Sequence, residues 1–147
     1  MSHEQTGLAW SERFSHQEAN PERLDDLAQW CERLGSHEQR DGFRRVLQEI
    51  APAATPEEVE RKNAAVEWIS LLADSGAFES AAIALIPRDA IFTGGRLKDG
   101  SFVAQVILDG DVGAHSRAAQ SLPMAWIAAL LRAFARQAIE ARSATAH

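Results

Sequence analysis

The side chains equipped for chemistry are few and scattered. Five histidines stand at His3, His16, His37, His115 and His147, mostly in termini or at exposed helix starts, and none lies in a nucleophile, metal or acid-base motif. Cys31, the single cysteine, permits neither an internal disulfide nor a multi-cysteine zinc site. It follows Trp30 on an expected apolar helix face, where a free thiol is packed and inert. Asp109 and Asp111 have the spacing of the first calcium ligands in an EF-hand, yet the twelfth residue of that loop is Gln120 in place of the closing glutamate. Gly94-Gly95 lacks the rest of a phosphate-cradling sequence. No catalytic residue, metal site or cofactor is therefore assigned, and a non-enzymatic role is expected. What remains is contact chemistry. His115 and Arg117 are equipped to hold an anion, though they equally suit a polar connector. Trp126, beside Met124, is a candidate contact anchor, although an aromatic at helical spacing more often belongs to the core. With Asp109 and Asp111, these are the candidate interaction or ligand contacts.

The elements that must position them follow from periodicity and punctuation. Asn20-Pro21 predicts a helix start, and Leu24, Leu27, Cys31 and Leu34 recur at helical spacing up to Gly35, a residue suited to a left-handed helix end. Ser36 with Gln39 predicts a capping box for a second helix. Its buried face is Phe43, Val46, Leu47 and Ile50, Asp41 and Arg45 pair outside it, and Gly42 weakens it. Thr55-Pro56-Glu57-Glu58 opens a third, with Glu57–Arg61 and Glu58–Lys62 pairs on its solvated face. Val59, Val66, Ile69 and Leu72 or Ala73 turn inward, Trp68 flanks them, and Ser75-Gly76 closes the segment. A short helix over Thr6–His16, with Trp10 and Phe14 one turn apart, precedes them.

Beyond Gly76 the character changes. An Ala-rich helix from Phe78 to Ile86 stops at Pro87, and strand signals then flank a hairpin turn at Asp99-Gly100. Gly94-Gly95 invites a bulge or bend. Both faces of the return strand, Phe102, Ala104, Val106 and Leu108 against Val103, Gln105 and Ile107, are largely apolar, so both are expected to be covered. Residues 109–117 read as an irregular connector. Ser121 caps a last helix with Ile127, Leu130, Leu131, Phe134 and Ala138 buried, and Arg132, Arg136 and Arg142 complement its negative end. The fold class expected is α+β, mostly helical, with a helical N-terminal half packed on a helix, β-hairpin and helix unit. A single domain spans 1–147: an arm at 1–19, helices at 20–76, the layered unit at 77–142 and a frayed tail at 143–147. An isolated hairpin is marginal, so its edge predicts shielding by helices or a homodimer.

Composition narrows the partners. The chain has 147 residues, 46% hydrophobic and 24% charged, with a net charge of −6 and no run of five like charges. That is an ordinary globular domain, and its acidic balance argues against direct nucleic-acid binding. The N-terminal MSHEQTGLAW has no leader character, and no apolar run reaches membrane-spanning length, so a cytoplasmic location and no membrane contact are expected.

Ala81-Ala82-Ile83-Ala84-Leu85-Ile86-Pro87, a short hairpin, and then Leu122-Pro123-Met124-Ala125-Trp126-Ile127-Ala128-Ala129-Leu130-Leu131-Arg132-Ala133 resemble the phage ABA sandwich domain of small phage and prophage proteins. The likeness covers roughly the last 70 residues. It departs from the family where Ile91 and Phe92 stand in place of a tryptophan on the first strand, and the earlier helices have no counterpart in it. The resemblance implies a phage or prophage origin, hence the cytoplasm of a bacterial host, and an α/β layered C-terminal half without catalytic residues. The expected function is that of a non-catalytic accessory protein contacting a host or phage protein, for example to block a host factor or defence system. The alternatives are a small-molecule binding module for a nucleotide or metabolite, with a pocket between hairpin and last helix using His115, Arg117 and Trp126, and a virion or assembly component.

Overall fold

The computed structural model describes residues 20–50 and 56–146, without the side chains at 56, 58, 59, 61, 62, 145 and 146. The expected helix over Thr6–His16, the Thr55 cap, the Glu57–Arg61 and Glu58–Lys62 pairs and the inward turn of Val59 lie outside the described residues. Chain order is α1 (Pro21–Arg33), a 3-10 turn (Ser36–Glu38), α2 (Gln39–Ile50), α3 (Pro56–Asp74), α4 (Phe78–Leu85), β1 (Ile91–Arg96), β2 (Phe102–Ile107), β3 (Gly113–His115) and α5 (Leu122–Ala146). The protein is a mostly helical α+β fold, as its sequence leads one to expect.

Helix α5 is the axis of the molecule. Ser121 and Pro123 through Leu131 are all buried, followed by Ala133, Phe134 and Ala135. A helix apolar on every side is a core helix, because no face of it gains from water. It is wrapped by α1, by α4 and by one face of the sheet, while α3 packs on α2 and α4. Its alanines let these neighbours come close. Phe43 of α2 stacks on Phe78 of α4 with ring centroids 6.1 Å apart, and Arg40 ties α2 to the end of α3 by donating to the Asp74 carbonyl at 3.0 Å. Helix α5 continues to Ala146, past the expected end at Arg142.

Capping follows the sequence at some ends and departs from it at others. Asn20 accepts from the Glu22 N–H at 3.0 Å, and Pro21 occupies the first turn. Gly76, at φ +85°, ends α3, with its own N–H and that of Ala77 returning to Ala73 and Leu72. Gly35, expected in the left-handed region, is extended at φ −69° and ψ 164°. The chain leaves α1 straight and turns at Ser36–Glu38, so the cap moves one residue: the Gly35 N–H donates to Glu38 Oε1 at 2.9 Å, and Gln39 Nε2 donates to the Ser36 carbonyl. Asp41 pairs with Arg44, not Arg45, which reaches Glu49 and lies over the Trp30 ring.

The sheet has three antiparallel strands in the order β1-β2-β3, not the two expected. Gly94-Gly95 makes no bulge, since the register runs unbroken from Ile91 opposite Ile107 to Arg96 opposite Phe102. The Lys98-Asp99-Gly100 turn behaves as its residues dictate. Gly100 takes φ +90°, and Asp99 Oδ1 accepts from the Ser101 N–H and hydroxyl, bonds that lower the Asp99 pKa. The supposed connector is a second tight turn. Leu108 and Val112 close it, Gly110 and Asp111 take φ +88° and +66°, and β3 follows. Asp tolerates this conformation better than most residues because its short side chain bonds locally.

Candidate functional site

Two places carry polar or apolar groups that the fold alone does not demand. One is buried and the other is open.

The buried one begins with a bulge. Ser116 bonds Ala104, donating through its backbone N–H and accepting the Ala104 N–H on its hydroxyl, both at 2.8 Å. Phe102 then exchanges bonds with Ala119, so the register has slipped by one residue and Arg117 and Ala118 together oppose Val103. Arg117, next to the bonded Ser116, points its N–H away from β2. Glu32 of α1, only 5% exposed, receives it on Oε2 at 2.6 Å and accepts from Arg132 of α5 on Oε1 at 2.8 Å. One carboxylate thus joins α1, the sheet and the central helix. Arg132 is not a dipole-complementing cation of a late turn, as expected, but a mid-helix charge with a buried partner. Beside it, burial pushes the Cys31 thiol up to about 12, with the Glu32 charge adding to the effect. A thiol so protonated is no nucleophile near neutral pH. Glu32, Arg132 and Arg117 act as a structural clasp.

The open place is the other face of the sheet. Phe92, Ala104, Val106 and Ala114 turn toward α5, and the Phe92 ring meets Trp126 edge-on at 5.5 Å. Gly94 is part of this packing. A Cβ there would lie 2.8 Å from Leu122 Cδ1 and 2.9 Å from Trp126 Nε1. On the far side stand Ile91 and Thr93, then Val103, Gln105 and Ile107, then His115. They are exposed or half-buried: Ile91 is 64% exposed, and Leu97, following β1 on the same side, 42%. Among the described residues, the expectation that both faces are covered fails here. The described helix that packs on the sheet is α5, and it does so through the inner face, where its small residues admit the strands.

The candidate contacts do not converge. His115 lies on the open face opposite Gln105, whereas Trp126 is 9% exposed on the inner side and serves the core. Arg117 offers its N–H to the clasp and its side chain to solvent, and Asp109 and Asp111 shape the exposed β2–β3 turn. The pocket expected from His115, Arg117 and Trp126 is therefore not assembled. An open groove of about 450 Å³ lies elsewhere, at the start of α5, lined by Gln39, Phe78, Phe102, Ser121 and Leu122 among others. Among the described residues, no cluster of three or more His, Cys, Asp or Glu side chains is placed to hold a metal, and no helix is long and apolar enough to cross a membrane.

Sequence reasoning missed Glu32 and β3. Nothing in the α1 sequence separates Glu32 from the solvated Glu22, but Arg132 inside an apolar run of α5 did carry a signal. A charge on a helix buried all round requires a carboxylate partner. Compared with known proteins, the chain matches no family model, no curated protein and no solved structure.

Proposed function

We propose that this chain is a non-catalytic accessory protein that acts by protein–protein contact through the open side of its sheet. The observation that carries the reading is the outer sheet face of exposed Ile91 and half-buried Val103 and Ile107, which among the described residues no helix covers and which ends at the edge of β1 that no described strand pairs. Soluble domains cover such surfaces unless a partner does so. The phage or prophage setting, and the blocking of a host factor or defence complex as the task, rest on the resemblance of the Ala-rich segment and last helix. Affinity capture with the tagged full chain from bacterial host lysates is expected to recover one specific partner repeatedly. Recovery of none, or discovery of substrate turnover, would overturn the proposal.

A second reading, a small-molecule binding module, now has a different location in its favour: the groove at the start of α5, beside Gln39, whose Oε1 is buried without a partner. Thermal-shift screening with nucleotides and metabolites decides it, because a ligand that binds only the folded state raises the midpoint.

A further inference from the structure

Among the described residues, strand β1 has a neighbour on one side only, and its other edge has a definite hydrogen-bonding polarity. The Leu97 N–H donates to the Ser101 carbonyl at 2.7 Å, which makes Leu97 and Ser101 a hydrogen-bonded pair of the antiparallel ladder. Bonded and non-bonded pairs alternate, so Gly95, Thr93 and Ile91 also spend their backbone groups on β2. Phe92, Gly94 and Arg96 point theirs outward. The ladder on the far side of β2 agrees with this phase, since Phe102 bonds Ala119 there.

We propose that this edge takes a second copy of the chain, antiparallel, about a two-fold axis through Gly94. This deepens the reading of the open sheet side as a contact surface and rests on it. The proposed register is the one that aligns the whole of β1. Gly94 then bonds Gly94 of the second copy, and Phe92 bonds Arg96 of the second copy, each pair exchanging two N–H···O bonds. Every outward backbone group of the strand is satisfied. The side chains fit the same register. On the open face, Ile91 lies beside Leu97 of the second copy, so two exposed apolar side chains cover one another at each end. On the inner face, the guanidinium of Arg96 lies beside the Phe92 ring of the second copy, a cation-π pairing. Shifting the register to pair Arg96 with Arg96 sets like charges opposite each other and strands Ile91 and Leu97. The product is a six-stranded sheet whose two open faces merge into one platform. An edge of this length buries little area, so the dimer is weak and concentration-dependent.

The test is register-specific crosslinking with the full chain. Thr93 and Gly95 of the second copy form a non-bonded pair in the proposed ladder, within the span a disulfide bridges. A Thr93→Cys chain mixed with a Gly95→Cys chain is expected to give a disulfide-linked heterodimer under mild oxidation, while each alone gives several-fold less. Cys31 does not interfere, being buried with a protonated thiol. Ile91→Lys, at an exposed position, is expected to weaken self-association by about tenfold or more in light scattering, with the melting midpoint held. Equal crosslinking in the mixed and single samples, or wild-type protein that stays monomeric up to about 1 mM, overturns the dimer. Either result leaves the contact reading standing if lysate capture still returns a partner, and a dimer without any partner fails that reading alone.

Discussion

At the scale of single residues, the clasp around Glu32 makes the sharpest predictions. Glu32→Ala leaves the half-buried Arg132 without its carboxylate and the Arg117 N–H without an acceptor. The expected cost is about 3 kcal/mol or more, a fall in melting midpoint of roughly 10 °C for a domain of this size. Removing both charges, as Glu32→Leu with Arg132→Met, is expected to recover most of that loss, since no lone buried charge remains. A double variant no more stable than Glu32→Ala would show that the bulge N–H, not the ion pair, is what the carboxylate serves. Cys31 gives a pH prediction. Burial raises its folded pKa to about 12, above the ordinary thiol value near 9, so the fold favours the protonated thiol. That contribution is fully present below pH 9 and is lost as the pH rises toward 12. Native protein at pH 8 is expected to resist alkylation that unfolded protein accepts at once, and ready native labelling would contradict the burial.

Among the elements, adjacent glycines of β1 are predicted to behave oppositely. Gly94→Ala drives a methyl into Leu122 and Trp126 and is expected to cost about 1–3 kcal/mol. Gly95→Ala meets open space and is expected to be neutral or to gain a few tenths of a kcal/mol by stiffening the unfolded chain. Denaturant titration of both variants checks the pair, and equal effects would mean that the two faces of the sheet are wrongly assigned. This asymmetry also shows what the sequence disclosed. Caps such as Asn20-Pro21 and Gly76, apolar stripes such as Leu24-Leu27-Cys31, and the Asp99-Gly100 turn act locally, so they were readable. Strand β3 was not, because a three-residue strand inside Asp109-Gly110-Asp111-Val112-Gly113 has no alternation of its own and exists only by pairing with β2. Gly42 belongs to the same class. Its weak helix propensity was visible, but its reason, a Cβ 2.8 Å from Met124 Sδ, lies in long-range packing.

For the whole molecule, a helix whose first half is buried on all sides leaves the sheet with one face to give. Helices α1 and α4 and the inner face of the sheet share α5, and the outer face, with its mixture of Ile91, Val103, Gln105, Ile107 and His115, is turned to the surroundings. Trp68 and Leu71, 56% and 62% exposed one turn apart on α3, add a smaller apolar area away from the sheet. The candidate contact residues were legible as residue types but not as a site, because Trp126 and His115 fall on opposite faces of one sheet, a relation fixed by register and not by spacing. The central claim, recognition through the open sheet face, is tested most directly by quantitative capture of the partner with wild-type protein and with Val103→Lys side by side. Val103 lies on the open face of β2, so the variant is expected to keep its melting midpoint within about 3 °C and to lose the partner by tenfold or more, about 1.4 kcal/mol. Undiminished capture by the folded variant would contradict the account.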